Sequence, residues 1–239
     1  MKTLLLFDID GTLLLTGGAG KIAFERAFLE CFGVADSWGG TLPDGRTDPL
    51  IFDEIARRVL GRGLTSPEHD RLCAKYLAYF PPALEEADRF RLMPGALPLV
   101  RLLSTLPNVL LGLATGNFKS AAFEKIRHGG FEGFFRFGGY ACDSADRDQI
   151  VRTAVTRGML SAREAGDIPG DIWVIGDTPF DIRSGRAAGG RTIGVATGRY
   201  TLQELAAESP DGLLIDLSDP TPFLDLIGPP DGGQSPKRG

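Results

Sequence analysis

Short apolar runs alternate with helical patterns over much of the chain. The first run occupies residues 3–7, and others occupy residues 109–115, 172–177, 191–198 and 212–217. Each run is short and nearly continuous in apolar residues, which is typical of a strand buried on both faces of a parallel sheet. Segments with helical spacing separate most of the runs. The pattern therefore predicts an α/β fold with a Rossmann-like parallel sheet core.

One long stretch interrupts this alternation, because its apolar residues recur only at helical spacing, as at Phe24, Phe28 and Cys31. Such a stretch between the first strand and the rest of a sheet predicts an inserted helical unit. The predicted division is a core of residues 1–16 and 86–228, an α-helical cap of residues 17–85 and a disordered tail of residues 229–239.

Local signals mark the ends of the predicted cap and of its helices. Asp48 and Ser66 each precede a proline, and this pairing predicts a helix N-cap followed by proline in the first turn. The glycine-rich segment 17–20 and the pair Pro81–Pro82 predict the two junctions with the core.

Composition narrows the possible partners. The 239 residues include 26 Lys and Arg against 31 Asp and Glu, a net charge of −5, so no overall positive field favours nucleic acid or an anionic membrane. Three cysteines are too few for a disulfide framework, and Asp8 and Asp10 interrupt the apolar N-terminus too early for a signal peptide. We expect a cytoplasmic protein, a monomer or homodimer, that binds neither nucleic acid nor membranes.

The first candidate site is the segment DIDGT at residues 8–12, directly after the first predicted strand. Asp8 and Asp10 are two residues apart at the strand exit, and Gly11 permits a tight turn that lets both carboxylates face one pocket. Close carboxylates repel each other unless a cation lies between them. This oxygen-rich arrangement predicts a Mg²⁺ site.

Two further motifs follow predicted strands. The segment GDTPFD places Asp177 at a strand end and Asp181 in the first turn of the next helix, where helix capping alone would also explain it. Thr115, Gly116 and Asn117 offer a hydroxyl, a permissive backbone and an amide, which suit phosphate oxygens. Because ligands bind beyond the carboxyl ends of parallel strands, these motifs predict one shared cleft.

Together, the three motifs resemble those of the haloacid dehalogenase superfamily of phosphohydrolases, in the family's order and over residues 1 to about 220. The resemblance implies that Asp8 is the nucleophile and Asp10 the general acid and base. Thr115 and its neighbours, with Gly11 and Thr12, would bind the phosphoryl group or substrate. Asp8, Asp177 and the backbone carbonyl of Asp10 would hold Mg²⁺, and Asp181 would support them.

The family's phosphoryl-binding cation is less clearly marked in this sequence. Many members have a lysine beside prolines upstream of the last acidic motif, and this chain has no such lysine. Arg147, thirty residues before Asp177, is our prediction, with Arg152 and Arg157 as rivals and an exposed helix arginine as the alternative. Arginine can neutralise a carboxylate and bind phosphoryl oxygens through its planar fork.

The predicted function is Mg²⁺-dependent hydrolysis of a small phosphate monoester through an aspartyl-phosphate intermediate. A phosphomutase and a catalytically idle relative that binds a phosphorylated ligand remain alternatives. The family's dehalogenases lack the second aspartate, so Asp10 favours phosphate chemistry.

Residues 44–48, DGRTD, resemble a substrate-facing loop, where Arg46 would read the leaving group unless it pairs with Asp44 or Asp48. The overall pattern is similar to the phosphoglycolate phosphatase branch. The run GGAGK at residues 17–21 does not fit a nucleotide-binding loop, because Leu15 and Ile22 occupy two of that motif's required positions.

Overall fold

The computed structural model describes residues 1–228, and the predicted tail of residues 229–239 lies outside the described part. The strands there are β1 (Lys2–Phe7), β2 (Leu14–Leu15), β3 (Arg91–Leu92), β4 (Val109–Ala114), β5 (Phe137–Gly139), β6 (Pro169–Gly176), β7 (Arg191–Val195) and β8 (Gly212–Leu214). The helices are α1 (Ala19–Phe32), α2 (Asp48–Leu60), α3 (Ser66–Glu86), α4 (Ala96–Ser104), α5 (Lys119–His128), α6 (Arg147–Glu164), α7 (Pro179–Ala187), α8 (Leu202–Ala206) and α9 (Pro220–Ile227).

Six strands form a parallel sheet in the order β5-β4-β1-β6-β7-β8, which confirms the predicted α/β fold class. The five apolar runs correspond to β1, β4, β6, β7 and β8. The edge strand β5 was not predicted, because its sequence FGG contains no apolar run. An antiparallel pair, β2 and β3, lies outside the main sheet and joins Leu15 to Arg91.

The sheet is buried on both faces, and β1 shows this in single residues. Leu5 and Phe7 belong to the apolar cluster on one face, whereas Leu4 and Leu6 belong to the cluster on the other. All four are completely buried. Successive side chains of a strand point to opposite faces, so a strand between two helix layers must be apolar at every position.

Helices α1, α2 and α3 build an apolar cluster of their own, and α1 packs along α3. Its aromatic centre includes Phe24, whose ring centroid lies 4.8 Å from that of Phe52. The cluster extends onto the start of α5, where Phe118 contacts Phe52 and Tyr76. This contact fixes the three helices over the carboxyl end of β4.

The predicted helix boundaries need two corrections. The N-caps of α2 and α3 are Thr47 and Thr65, one residue before Asp48 and Ser66, and at α3 a capping box joins Thr65 to Glu68. Pro81 and Pro82 lie inside α3 rather than at a junction. The helix continues through them because Phe80, Ala83 and Leu84 are buried in the apolar cluster, and their burial offsets the loss of two backbone donors.

Within residues 1–228, no helix is both long enough and apolar enough to cross a membrane.

Candidate active site

The ends of three neighbouring strands bring the predicted motifs together. Asp8 follows β1, Thr115 follows β4 and Asp177 follows β6, and β1 lies between the other two strands. The backbone continues the sheet for one residue at two of these exits, where Asp8 N–H donates to Ile175 (2.9 Å) and Thr115 N–H donates to Gly139 (3.1 Å). The three side chains are therefore buried together at the carboxyl ends of the strands.

Asp8, Asp177 and Asp181 form a buried acidic cluster, with one carboxylate oxygen of each within 4.8 Å of the others. Burial raises the pKa of Asp8 from 3.8 to about 7, and the neighbouring carboxylates raise it while Arg147 lowers it. Burial, followed by repulsion from Asp181 and Asp8, raises the pKa of Asp177 well above its ordinary value. A cation bound between these carboxylates would favour their charged forms.

Arg147, in the first turn of α6, reaches this cluster. Its Nη2 lies 3.2 Å from Asp8 Oδ1 and also donates to Asp181. Its Nε is buried without a hydrogen-bond partner within the described residues, so the guanidinium retains a free donor. The rivals lie elsewhere on α6, where Arg152 is exposed and Arg157 pairs with Asp143 at 2.7 Å.

The two oxygens of Asp181 have different partners. Oδ2 accepts from Thr178 N–H (3.0 Å) and from Thr178 Oγ1 (2.7 Å), which completes the capping box of α7. Oδ1 accepts from Arg147. Asp181 therefore both caps α7 and holds Arg147 beside Asp8.

The segment after β1 contributes through its backbone and through Thr12. Gly11 has φ +85°, and a Cβ there would lie 2.3 Å from Asp177 Oδ2, so only glycine fits this turn. Thr12 Oγ1 donates to Asp177 Oδ1 (3.0 Å). This bond directs the Thr12 hydroxyl to a carboxylate of the acidic cluster, whereas Gly11 lines the adjoining cavity.

Lys125 is a site residue that the sequence analysis missed. It lies on α5 with only 5% of its surface exposed, and its Nζ is 2.5 Å from Asp10 Oδ2 and 2.9 Å from Asn117 Oδ1. A signal was present, because Ala121, Ala122 and Ile126 share one apolar face of α5 and Lys125 lies on that face. A lysine on a buried face needs a charged or polar partner.

Arg46 lies on the cavity wall, but its ion pair is not the one considered as the alternative in the sequence analysis. It pairs with Glu54 of α2, not with Asp44 or Asp48, although it still lines the cavity. Asp44 lies 3.6 Å from Arg199, and Asp48 Oδ2 accepts from Phe118 N–H (2.7 Å).

Residues 44–48 are docked onto the loops that carry the site. Thr47 Oγ1 donates to Ala145 (2.9 Å), and Asp48 N–H donates to Gly116 (2.8 Å). Gly116 permits this close approach, since a Cβ there would lie 2.4 Å from the Arg46 carbonyl oxygen. Burial raises the pKa of Asp48 to about 6.

A cavity of about 530 Å³ lies between the sheet edge and helices α1–α3. Its lining includes Asp8, Asp10, Thr115, Gly116, Asn117, Arg147 and Asp177. The sheet edge thus combines a buried nucleophile candidate, a guanidinium, hydroxyl and amide groups, and an acidic cluster, a set suited to binding and transferring a phosphoryl group.

Comparisons with known proteins support this interpretation. The family model described as HAD-hydrolase-like matches residues 150–220. The pyrophosphatase PpaX of Bacillus pumilus (strain SAFR-032) is 24% identical over 232 residues, which cover 93% of this chain and 95% of the relative.

Solved structures share the fold across nearly the whole chain. A predicted phosphoglycolate phosphatase from Haemophilus somnus 129PT has a TM-score of 0.67 at 17% identity, covering 93% of this chain and 97% of its own. The β-phosphoglucomutase from Clostridium difficile has a TM-score of 0.67 at 16% identity, covering 91% and 92%. The comparisons confirm the predicted resemblance to the haloacid dehalogenase superfamily, and the solved structures share its fold.

Proposed function

We propose that this chain is a Mg²⁺-dependent phosphatase that hydrolyses a small phosphate monoester through an aspartyl-phosphate on Asp8. The observation that carries the proposal is the placement of Asp8, buried at the end of β1 with Arg147 at 3.2 Å and Asp177 in the same acidic cluster. The likeness to proteins named as phosphatases and phosphomutases supports the same class of chemistry.

The donor set fits Mg²⁺, which prefers carboxylate and carbonyl oxygens together with water and substrate phosphate. Asp8, Asp177 and the backbone carbonyl of Asp10 would hold it. Asp181 is better suited to support, because both of its oxygens already accept from Thr178 and Arg147. When bound, Mg²⁺ supplies positive charge that offsets the charge of the acidic cluster and of the phosphoryl group.

In the first step, a carboxylate oxygen of Asp8 attacks phosphorus and the bond from phosphorus to the leaving oxygen breaks. Arg147 and the polar groups of Thr115 and Gly116 bind the other phosphoryl oxygens, where most of the transition-state charge lies. Asp10 donates a proton to the leaving oxygen. Lys125 fixes the orientation of Asp10 for this transfer through their 2.5 Å contact.

In the second step, a water molecule attacks phosphorus and releases Asp8 as a carboxylate. Asp10, which lost its proton in the first step, takes one from this water. Both half-reactions therefore depend on one carboxylate, and inorganic phosphate is the product.

Helices α1–α3 act in this proposal as the cap, corresponding to residues 17–85, over a core of residues 1–16 and 86–228. Its role is supported by the docking of residues 44–48 onto Gly116 and Ala145. A docked cap excludes bulk water while the phosphoryl group is transferred.

The experiment is phosphate release from a panel of monoesters, including phosphoglycolate, sugar phosphates and nucleotides, with Mg²⁺ and with EDTA. Asp8→Asn is the blank. We expect Mg²⁺-dependent release that is lost almost completely in Asp8→Asn. Release that persists in Asp8→Asn would contradict the covalent mechanism.

The same samples distinguish the phosphomutase alternative. Phosphorus NMR of a reaction with a sugar phosphate and a catalytic amount of its bisphosphate would show an isomerised monoester in place of inorganic phosphate if the chain is a mutase.

A further inference from the structure

Asp48 places a carboxylate of the inserted helical unit against a helix of the core. It lies in the first turn of α2 and is only 7% exposed. Its backbone N–H donates to Gly116 (2.8 Å), and its Oδ2 accepts from the N–H of Phe118 (2.7 Å), the residue that precedes α5. The helix dipole favours a carboxylate at a helix N-terminus, so docking alone would explain these two bonds.

The charge of Asp48 also acts on Lys125. Burial raises the pKa of Asp48 to about 6, and Lys125 has the largest effect among the groups that oppose this rise. The Asn117 side chain opposes it as well. Asp48, Asn117 and Lys125 are all buried, and opposite charges attract each other more strongly there than in water. Asp48 therefore attracts Lys125 in addition to holding the start of α5.

Lys125 connects this contact to Asp10. Its Nζ lies 2.9 Å from Asn117 Oδ1 and 2.5 Å from Asp10 Oδ2. Within residues 1–228, no other cation pairs with Asp10. The ammonium group of a lysine is a point charge on a flexible stem, so the acceptors around it determine where it lies. The position of Lys125 beside Asp10 thus depends on the groups on its other side.

We propose that Asp48 is a positioning residue whose carboxylate, with Asn117, holds Lys125 in the place from which it orients Asp10 for proton transfer. Asp48 belongs to the inserted helices, whereas Asp10, Asn117 and Lys125 belong to the core. The arrangement is therefore complete only while residues 44–48 are docked. This inference rests on the proposed function for the role of Asp10.

The first test varies the leaving group. An alkoxide must gain a proton to leave, whereas p-nitrophenolate leaves without one, and kcat/KM reports the steps up to the first phosphoryl transfer. The alkyl substrate is the member of the monoester panel that the wild-type chain hydrolyses fastest, and the aryl substrate is p-nitrophenyl phosphate. Both are measured with Mg²⁺ at about pH 8, where Asp48 is charged.

Asp48→Asn removes the charge and keeps an oxygen that can accept from Phe118 N–H. We expect it to lower kcat/KM for the alkyl substrate about tenfold and for the aryl substrate less than about twofold, because general acid catalysis supplies a large factor only to the first. In a Lys125→Met background, Asp48→Asn should lower the alkyl value less than about twofold further, since its effect passes through Lys125.

The matched control is Thr47→Val, at the neighbouring position. The Thr47 hydroxyl donates to Ala145 (2.9 Å) and makes no capping bond in α2, so the variant removes one docking bond that does not reach Lys125. It should change kcat/KM for the two substrates by the same factor.

The second test does not require turnover. Urea unfolding in Mg²⁺ at the same pH compares Asp48→Asn, Lys125→Met and the double variant. We expect the effect of Asp48→Asn on the unfolding equilibrium constant to differ about threefold or more between the wild-type and the Lys125→Met backgrounds, as is typical of residues in one charged network.

A selective loss with the alkyl substrate, together with this coupling, supports the proposal. Equal losses with both substrates would overturn it and leave Asp48 a docking residue only, as would additive effects in the unfolding comparison. Coupling without any turnover by the wild-type chain would refute the phosphatase proposal while supporting the link between Asp48 and Lys125.

Discussion

The acidic cluster makes the metal-free protein less stable to unfolding as pH rises towards neutrality. Asp8, Asp177 and Asp181 share one guanidinium, that of Arg147, so the cluster carries excess negative charge when all are ionised. The pKa of Asp8 is about 7 in the fold and near 3.8 in the unfolded chain. Between these values the folded state binds more protons, so the free energy of unfolding falls as pH rises from about 4 to about 7.

The size of this loss follows from the shift at Asp8. A shift of about three pH units, at roughly 1.4 kcal/mol for each, corresponds to a loss on the order of 4 kcal/mol for the metal-free protein. Bound Mg²⁺ restores stability by about 2.7 kcal/mol at a concentration one hundred times its Kd. Since protons compete with the metal for the same carboxylates, the stabilisation by Mg²⁺ should be small at low pH and grow as pH rises.

Urea unfolding between pH 5 and pH 8, in EDTA and in Mg²⁺, measures this difference. We expect the two curves of unfolding free energy against pH to diverge as pH increases. Asp177→Asn should raise metal-free stability at the upper end and shrink the gap, whereas Asp171→Asn, at an exposed position, should change neither. A gap that is the same at every pH, or that survives Asp177→Asn in full, would refute the reasoning.

Three further predictions concern single contacts. Arg147→Met should lower the free energy of urea unfolding in EDTA by about 3–5 kcal/mol, because it leaves buried carboxylates unpaired. The control is Arg152→Met, at an exposed arginine on the same helix, and an equal effect there would contradict this prediction. Lys125→Met should lower kcat by up to about 10²-fold with little change in KM, since Lys125 acts through the general acid and base Asp10. Steady-state kinetics test this prediction, and a change confined to KM would count against it. Gly116→Ala should lower the free energy of unfolding by about 1–3 kcal/mol, measured by thermal unfolding, and raise KM, because the added Cβ displaces residues 44–48. Gly40→Ala, whose Cβ would enter open space, should change neither quantity, and a Gly116→Ala protein with wild-type Tm and KM would argue against the docked cap.

The resemblance to a family and the fold class could be predicted from the sequence because both depend on local signals. A strand buried on both faces must be apolar along its length, and chemistry at a strand exit leaves a compact motif such as residues 8–12 or 176–181. Each of these signals spans only a few residues, so it can be recognised without knowledge of the tertiary contacts.

Helix ends and short elements were harder to predict because they depend on competing local and tertiary terms. Pro81 and Pro82 normally mark a boundary, yet α3 passes through them because the residues around them are buried against α1. The edge strand β5 has two glycines in three residues, and it forms because β4 offers it a hydrogen-bonding partner.

By itself, the sequence determined the α/β core and the strands whose carboxyl ends carry the site motifs. It also identified Asp8, Asp10, Thr115 and Asp177 as candidate site residues. Only the tertiary structure decided which arginine and lysine side chains pair with the acidic residues. Arg147 rather than Arg157 contacts Asp8, Lys125 pairs with an aspartate 115 residues away, and Arg46 pairs with Glu54. The physical reason is that an ion pair depends on distance in space, which strand order and helix packing set, whereas the run of residues along the chain sets only what each strand and helix can contribute.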